Sequence, residues 1–422
     1  MRTDNLSYDG GGREAGRFPS PGLLIFSCLF IYTAMMATKS VYLAEIAYLM
    51  EIFSVDKATA SMANTYYFLA YAGMQVALFA FIKKLDVRKY VVFTVPLSAV
   101  AIILMGFCDT IEGMRILFLV AGLFQAPVYS SANHVLTHYL PAKYLTRANT
   151  VMSFGFAFGT VISYGVSAVC VGFGLWRIPF FVSGGLLLVS ILLFAVCSFL
   201  ARESDNVGSV GSATRDEEKP FISLTGRGDT TVFYVFSIAA IFLSGVLYYA
   251  VMNWISTLLV EVHSLSQDIS IYITTLAPLL ISIGPVLTIR SCDRHRNFIR
   301  VGLVYFLFAL PIPLLLAFLY DASALLAFLL SALFVILING VKTMSMTVAA
   351  FKMRREVNTA QFCVIANAAG SLSAAIAPTA TGKVIDEFGW SVSYLAIFGL
   401  AVALVILFVG ADLVSKKRQT NL

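Results

Sequence analysis

The sequence predicts an all-α polytopic membrane protein of twelve transmembrane helices, arranged as two pseudo-symmetric six-helix bundles. Three observations predict it. The chain is 59% hydrophobic and only 12% charged, and its mean hydropathy of +0.86 lies far above that of an ordinary soluble domain. Apolar runs of the roughly 20 residues that a helix needs to cross a bilayer recur along nearly the whole chain. Lys and Arg fall almost entirely on alternate connections, as membrane topology requires.

Taken in order, the apolar runs place spans at 22–48, 61–82, 90–108, 114–139, 148–173, 178–200, 231–259, 269–289, 301–320, 324–351, 362–384 and 391–413. The first, fourth, seventh and tenth are long enough to tilt or to extend past the lipid. The first 20 residues are polar and the first apolar run is too long for a leader, so no cleavable signal is expected. Six cysteines lack CxxC or metal-like spacing and mostly sit within spans, so neither a disulfide nor a metal site is expected, and no cofactor is implied.

With the N-terminus inside, the cytoplasmic segments hold 23 Lys and Arg, and the opposite side receives only Lys57, Arg115, Arg177 and Lys383. Both termini are therefore expected to be cytoplasmic, in a plasma membrane. The net charge of +6 is mostly this orientation signal, and no aromatic-basic interleaving suggests nucleic acid. The expected partners are a small-molecule substrate, a coupling ion such as a proton or counter-anion, and the lipid bilayer, with the chain acting as a monomer.

A Gly, Ser and charge-rich stretch, RESDNVGSVGSATRDEEKPFISLTGRGDTT, divides the chain. The expected organisation is a tail over 1–21, a bundle over 22–200, a linker over 201–230, a second bundle over 231–413 and a tail over 414–422. Residues 127–159 can be laid without gaps on 340–372, and FGLW at 173–176 has a partner in FGW at 388–390. Related halves of six spans are the arrangement in which a solute binds near the midplane and access alternates by rocking.

The chain resembles the major facilitator superfamily over essentially its whole length. The superfamily's loop after the second span, roughly GxLxDRxGRR, corresponds to AFIKKLDVRKY here, and its weaker copy after the eighth to IRSCDRHRNFIR. The first has Lys84 where Asp is expected, followed by Asp86 and Arg88; the second keeps Asp293 and Arg294. These five are the candidate gating-loop residues. A narrower likeness is to the organophosphate:phosphate antiporters. KSVYLAEIAYLMEIFSVDKATASM at 39–62, WISTLLVE at 254–261 and GKVIDEFGWSVSYL at 382–395 are similar to that family's first, seventh and last spans. Two arginines, a Lys and a His hold phosphate in that family. Carried over by position, they fall on Lys39, about Tyr248, Gln75 and near Phe158. One cation of four remains, as Lys, which cannot offer the bidentate fork that suits phosphate. The expected substrate is accordingly a small organic anion, not a phosphorylated sugar.

A charge at the bilayer centre costs about 2.5–3.5 kcal/mol on insertion scales, so such residues usually face a cavity. Lys39 lies near the middle of the first span and Lys342 deep in the tenth. The resemblance implies that the first, fourth, seventh and tenth helices line the cavity, bringing Lys39, Tyr129, Tyr248 and Lys342 together. Two ammonium groups would repel there unless an anion or carboxylate sits between them. The plainer alternatives are that Lys39 pairs with a carboxylate, and that Lys342 is neutral or faces the cytoplasmic end of its helix. Tyr42, Tyr71, Gln75 and Asn253 complete the candidate binding set, with Gln125, Asn133, Tyr249, Asn339 and Asn367 as supporting groups that serve helix packing equally well. Glu45 and His134 are the candidate coupling groups, although Glu45 also suits a position on the outer rim.

The expected activity is secondary transport by alternating access. No GxxxxGK[ST] is present, and no HExxH or paired-carboxylate constellation within a span points to an enzyme. Two other readings stay open. Efflux of a hydrophobic compound is suggested by 13% aromatic residues and 13 Met. A transporter-like sensor would suit a site that has lost binding cations.

Overall fold

The structure is a computed structural model, and it describes residues 19–81, 86–201, 228–295, 298–353 and 359–419. Ten stretches are helical, long and apolar enough to cross a membrane. One of them, Phe362–Gly410, spans 49 residues and is broken at Gly389, whose φ of 82° and ψ of 175° are not helical. That stretch makes two passes. The 25-residue helix Lys57–Phe81, more polar than the rest, adds another. Twelve passes result, each satisfying its backbone internally as hydrocarbon demands.

The first pass is Pro21–Ala44 continued by Ile46–Phe53, and the second is Lys57–Phe81. Val87–Met105 is the third, Ile111–Gln125 with Val128–Tyr139 the fourth, Ala142–Ser153 with Gly155–Gly172 the fifth, and Ile178–Leu200 the sixth. The seventh is Gly228–Met252 with Ile255–Glu261, and the eighth runs through Gln267–Thr274, Ala277–Ile281 and Ile283–His295. Phe298–Ala309 with Pro311–Leu319 is the ninth, Ala324–Met353 the tenth, and Thr359–Gln419 holds the last two. Local chemistry sets several starts. The Ser20 hydroxyl accepts from the Leu23 amide at 3.3 Å, with Pro21 following it, and the Thr110 hydroxyl accepts from Gly113 at 3.3 Å.

Helix-to-helix packing repeats with a displacement of six. The first pass lies on the fifth and sixth, and the seventh lies on the eleventh and twelfth, where Tyr234 meets Phe362 and Phe236 meets Phe408. The second packs on the fourth as the eighth does on the tenth, and the third packs on the sixth as the ninth does on the twelfth. Glycines permit the closest of these approaches. A Cβ at Gly122 would run into the Tyr67 carbonyl, and one at Gly284 into the Ile336 carbonyl.

The halves meet through the second and eleventh passes and through the fifth and eighth, again a symmetric pair of contacts. The polar ties concentrate at one end, opposite the 201–230 connection. Lys57 Nζ lies 2.7 Å from Glu261 and 3.2 Å from Asp386. The Ala58 amide donates to Asp386 at 3.2 Å, and Trp390 Nε1 donates to Glu261 at 3.2 Å. One turn deeper, Ser61 Oγ donates to Thr379 Oγ1 at 3.0 Å, and Thr65 Oγ1 donates to the Ala375 carbonyl at 2.6 Å. Arg115 and Arg177 lie at this same end, the first donating to Thr59 O at 2.7 Å and the second paired with Asp109 at 2.6 Å.

Candidate functional site

The two deep lysines are brought into one neighbourhood by the packing of the second pass against the second half. Lys39 Nζ stands 4.6 Å from the centre of the Phe68 ring and 5.9 Å from that of Tyr71. Lys342 Nζ stands 4.4 Å from the Tyr248 ring and 5.0 Å from Tyr249. The aromatic pair Phe68 and Tyr249, one from each half, closes the gap at 5.8 Å. Ring by ring, steps of 4.6, 5.8 and 5.0 Å lead from one ammonium group to the other. Among the described residues, no ion pair joins either lysine to a carboxylate. Ring faces offer a cation only a weak attraction, about 0.5–1 kcal/mol where exposed and about 2 where desolvated. They hold the charges without neutralising them.

Around this centre the other candidates divide. Tyr71, buried at 9% exposure, stacks on Tyr67 at 6.0 Å. Gln75, one turn on, keeps a buried Oε1 with no hydrogen-bond partner, so it can present an amide to a solute. Tyr129 is exposed and packs on Tyr32 at 5.0 Å. Tyr248 is buried beneath Lys342. Tyr42 is used otherwise: its hydroxyl donates to the Ala60 carbonyl at 2.6 Å and its ring meets Phe118 at 5.4 Å, which ties the first pass to the second and fourth. Asn253 sits at the break in the seventh pass, beside Trp254, whose Nε1 donates to Pro378 O at 3.1 Å. Gln125, a supporting candidate, is likewise spent on packing. It accepts from Tyr67 at 2.7 Å and donates to Thr38 at 3.0 Å and Ser98 at 2.7 Å.

Glu45 occupies the break between the two helices of the first pass, with φ −103° and ψ 3°. It is fully buried, not on a rim, and neither carboxylate oxygen has a hydrogen-bond partner. The Ser167 hydroxyl of the fifth pass lies beside it. His134 stacks on His138 at 4.0 Å, near the other end of the protein.

Of the gating-loop candidates, Asp86 and Arg88 serve the first half internally. Lys84 lies outside the described residues, and the side chain of Asp293 does too. Asp86 caps the third pass by accepting from the Arg88 amide at 3.1 Å. Partial burial acts to raise its carboxyl, and the hydrogen bonds and charge of Arg88 outweigh this and hold it below the ordinary carboxylate range. Arg88 also donates to Ser198 O at 3.1 Å and lies over the Tyr139 ring at 4.9 Å, joining the third, fourth and sixth passes. Arg294 is exposed in the last turn of the eighth.

Sequence reasoning missed Phe68, and it missed the Lys57, Glu261 and Asp386 cluster. Phe68 shares a helical face with Tyr71 and Gln75, a spacing of three and then four that could have found it. Lys57 stood out as one of four basic residues on the sparse side, where carboxylates also collect.

Known proteins give a consistent picture. The sequence profile of the Major Facilitator Superfamily matches residues 25–365. Comparison with curated protein sequences gives no significant match. Among solved structures, a bacterial homolog of the human lysosomal transporter Spinster, in an inward-facing and unoccupied conformation, is similar with a TM-score of 0.71 at 17% identity, over 94% of this chain and 96% of that one. A point mutant of the nucleoside transporter NupG is similar with a TM-score of 0.68 at 14% identity, over 92% of this chain and 99% of that one. With twelve passes in two halves of matching packing, and a family profile covering most of its length, the chain belongs to the Major Facilitator Superfamily.

Proposed function

We propose that this protein is a secondary transporter of a small organic anion, bound near the membrane midplane between the two halves. The observation that carries the reading is the pairing of Lys39 and Lys342, cations from opposite halves that face the same aromatic cluster and have no described carboxylate partner. An anion that enters neutralises charges otherwise held only by ring faces, and by touching both halves it links occupancy to their rocking. Tyr71, Gln75, Tyr129 and Tyr248 are the supporting contacts, and Glu45 is the candidate proton carrier. The basic asymmetry supports cytoplasmic placement of both termini, in what we take to be a plasma membrane. In that orientation the end tied by Lys57 faces outward.

Uptake or exchange in proteoliposomes tests this. Labelled organic anions should accumulate or exchange, and Lys39→Ala should reduce the rate at least tenfold. Binding without any movement of solute would favour a sensor, and preference for hydrophobic cations would overturn the anion reading.

A further inference from the structure

We infer that the substrate is a dicarboxylate whose two acid groups are separated by an apolar, planar spacer. This rests on the reading of an anion site between the halves and deepens it. Lys39 taken alone in the sequence suggests one charge on the solute. The structure adds a second ammonium group, from the other half, on the same cluster of rings, and among the described residues neither has a paired carboxylate. Charge balance in a low-dielectric cleft then calls for two negative charges.

The two cations stand on one continuous cluster of rings. From Lys39 the path runs 4.6 Å to Phe68, 5.8 Å on to Tyr249 and 5.0 Å to Lys342, so the ammonium groups stand no further apart than these three steps laid end to end. A single carboxylate brings one negative charge against two positive ones. A diacid meets both, and its middle then lies against Phe68 and Tyr249. The surface offered there is the face or edge of aromatic rings, which favours a flat apolar body over a hydroxylated chain. The ends are ammonium groups, point donors that match carboxylates without the planar fork that phosphate recognition exploits.

The test is titration calorimetry on the full-length protein in detergent. The probes are benzoate, succinate, isophthalate, terephthalate and biphenyl-4,4′-dicarboxylate at one pH and salt concentration. At least one aromatic diacid should bind tenfold or more tighter than both benzoate and succinate. Lys39→Gln and Lys342→Gln should each lower that diacid to about the affinity of benzoate. Should benzoate match the best diacid in the wild type, the two-charge inference fails while the anion site stands. Should succinate match it, the apolar spacer fails. If no acid binds, or if the methyl ester of benzoate binds as well as benzoate, both the inference and the underlying anion reading fail. The wild-type series decides these outcomes without relying on the folding of a variant.

Discussion

Lys57, at the start of the second pass, reaches across the halves to Glu261 at 2.7 Å, while its own side chain is only 11% exposed. Asp386 shares the same ammonium group at 3.2 Å, and Trp390 braces Glu261 from the twelfth pass. One cation thereby ties three helices of the second half to the first. Further interhalf hydrogen bonds, through Ser61 and Thr65, run alongside it.

Lys57→Ala should therefore loosen this end. Removing one partner leaves two carboxylates facing each other without their cation, and an effect of about 1–2 kcal/mol corresponds to roughly a five- to thirty-fold shift in population. Labelling rates of cysteines introduced at this end of the eleventh pass should rise accordingly. Unchanged labelling would remove Lys57 from any role in closure.

Gly284→Ala should destabilise the fold. The added methyl meets the Ile336 carbonyl and the backbone at Gly340, where two helices touch without side chains between them. Overpacking of this kind costs about 1–3 kcal/mol. Thermal unfolding in detergent should show the loss, and Gly73→Ala, with open space around it, should not.

Gln125→Leu should lower stability by about 2–3 kcal/mol, because it strands the buried hydroxyls of Tyr67 and Ser98 and removes the donor to Thr38. Ligand affinity should change less than threefold. A larger loss of affinity with normal stability would return Gln125 to the binding set.

Glu45→Gln tests coupling. The carboxylate is buried without a hydrogen-bond partner and lies beside Ser167. The amide has similar size and cannot exchange a proton. Accumulation driven by an imposed pH gradient should fall to background, while exchange of solute at equal pH persists. Retained gradient-driven uptake would exclude Glu45 as the carrier.

Much of this architecture is legible in the sequence because lipid imposes one strong rule, that each pass must be apolar and helical. The break at Gly389 was visible as FGW, and Lys39 and Lys342 announced themselves as charges in apolar runs. What remained hidden was rotation. Tyr42 and Tyr71 are both binding candidates on apolar helices, yet one hydroxyl is spent on Ala60 and the other ring flanks Lys39. Nothing in composition separates them, because tyrosine serves packing and binding with the same ring. Glu45 was ambiguous for a related reason. Its place on a rim or in the interior depends on where the first pass bends, and the bend falls on Glu45 itself. The cluster at Lys57 joins residues 57, 261 and 386, and such separations leave no periodic trace.

The position of that cluster at the mouth of the molecule has a consequence for how the surroundings act on it. Glu261 and Asp386 retain 34% and 22% of their side-chain exposure, so dissolved ions can reach them. The screening length falls from about 10 Å at 0.1 M salt to about 3 Å at 1 M. The medium bathing this face thus sets how readily the clasp releases. Ionic strength should therefore tune the carrier's tempo.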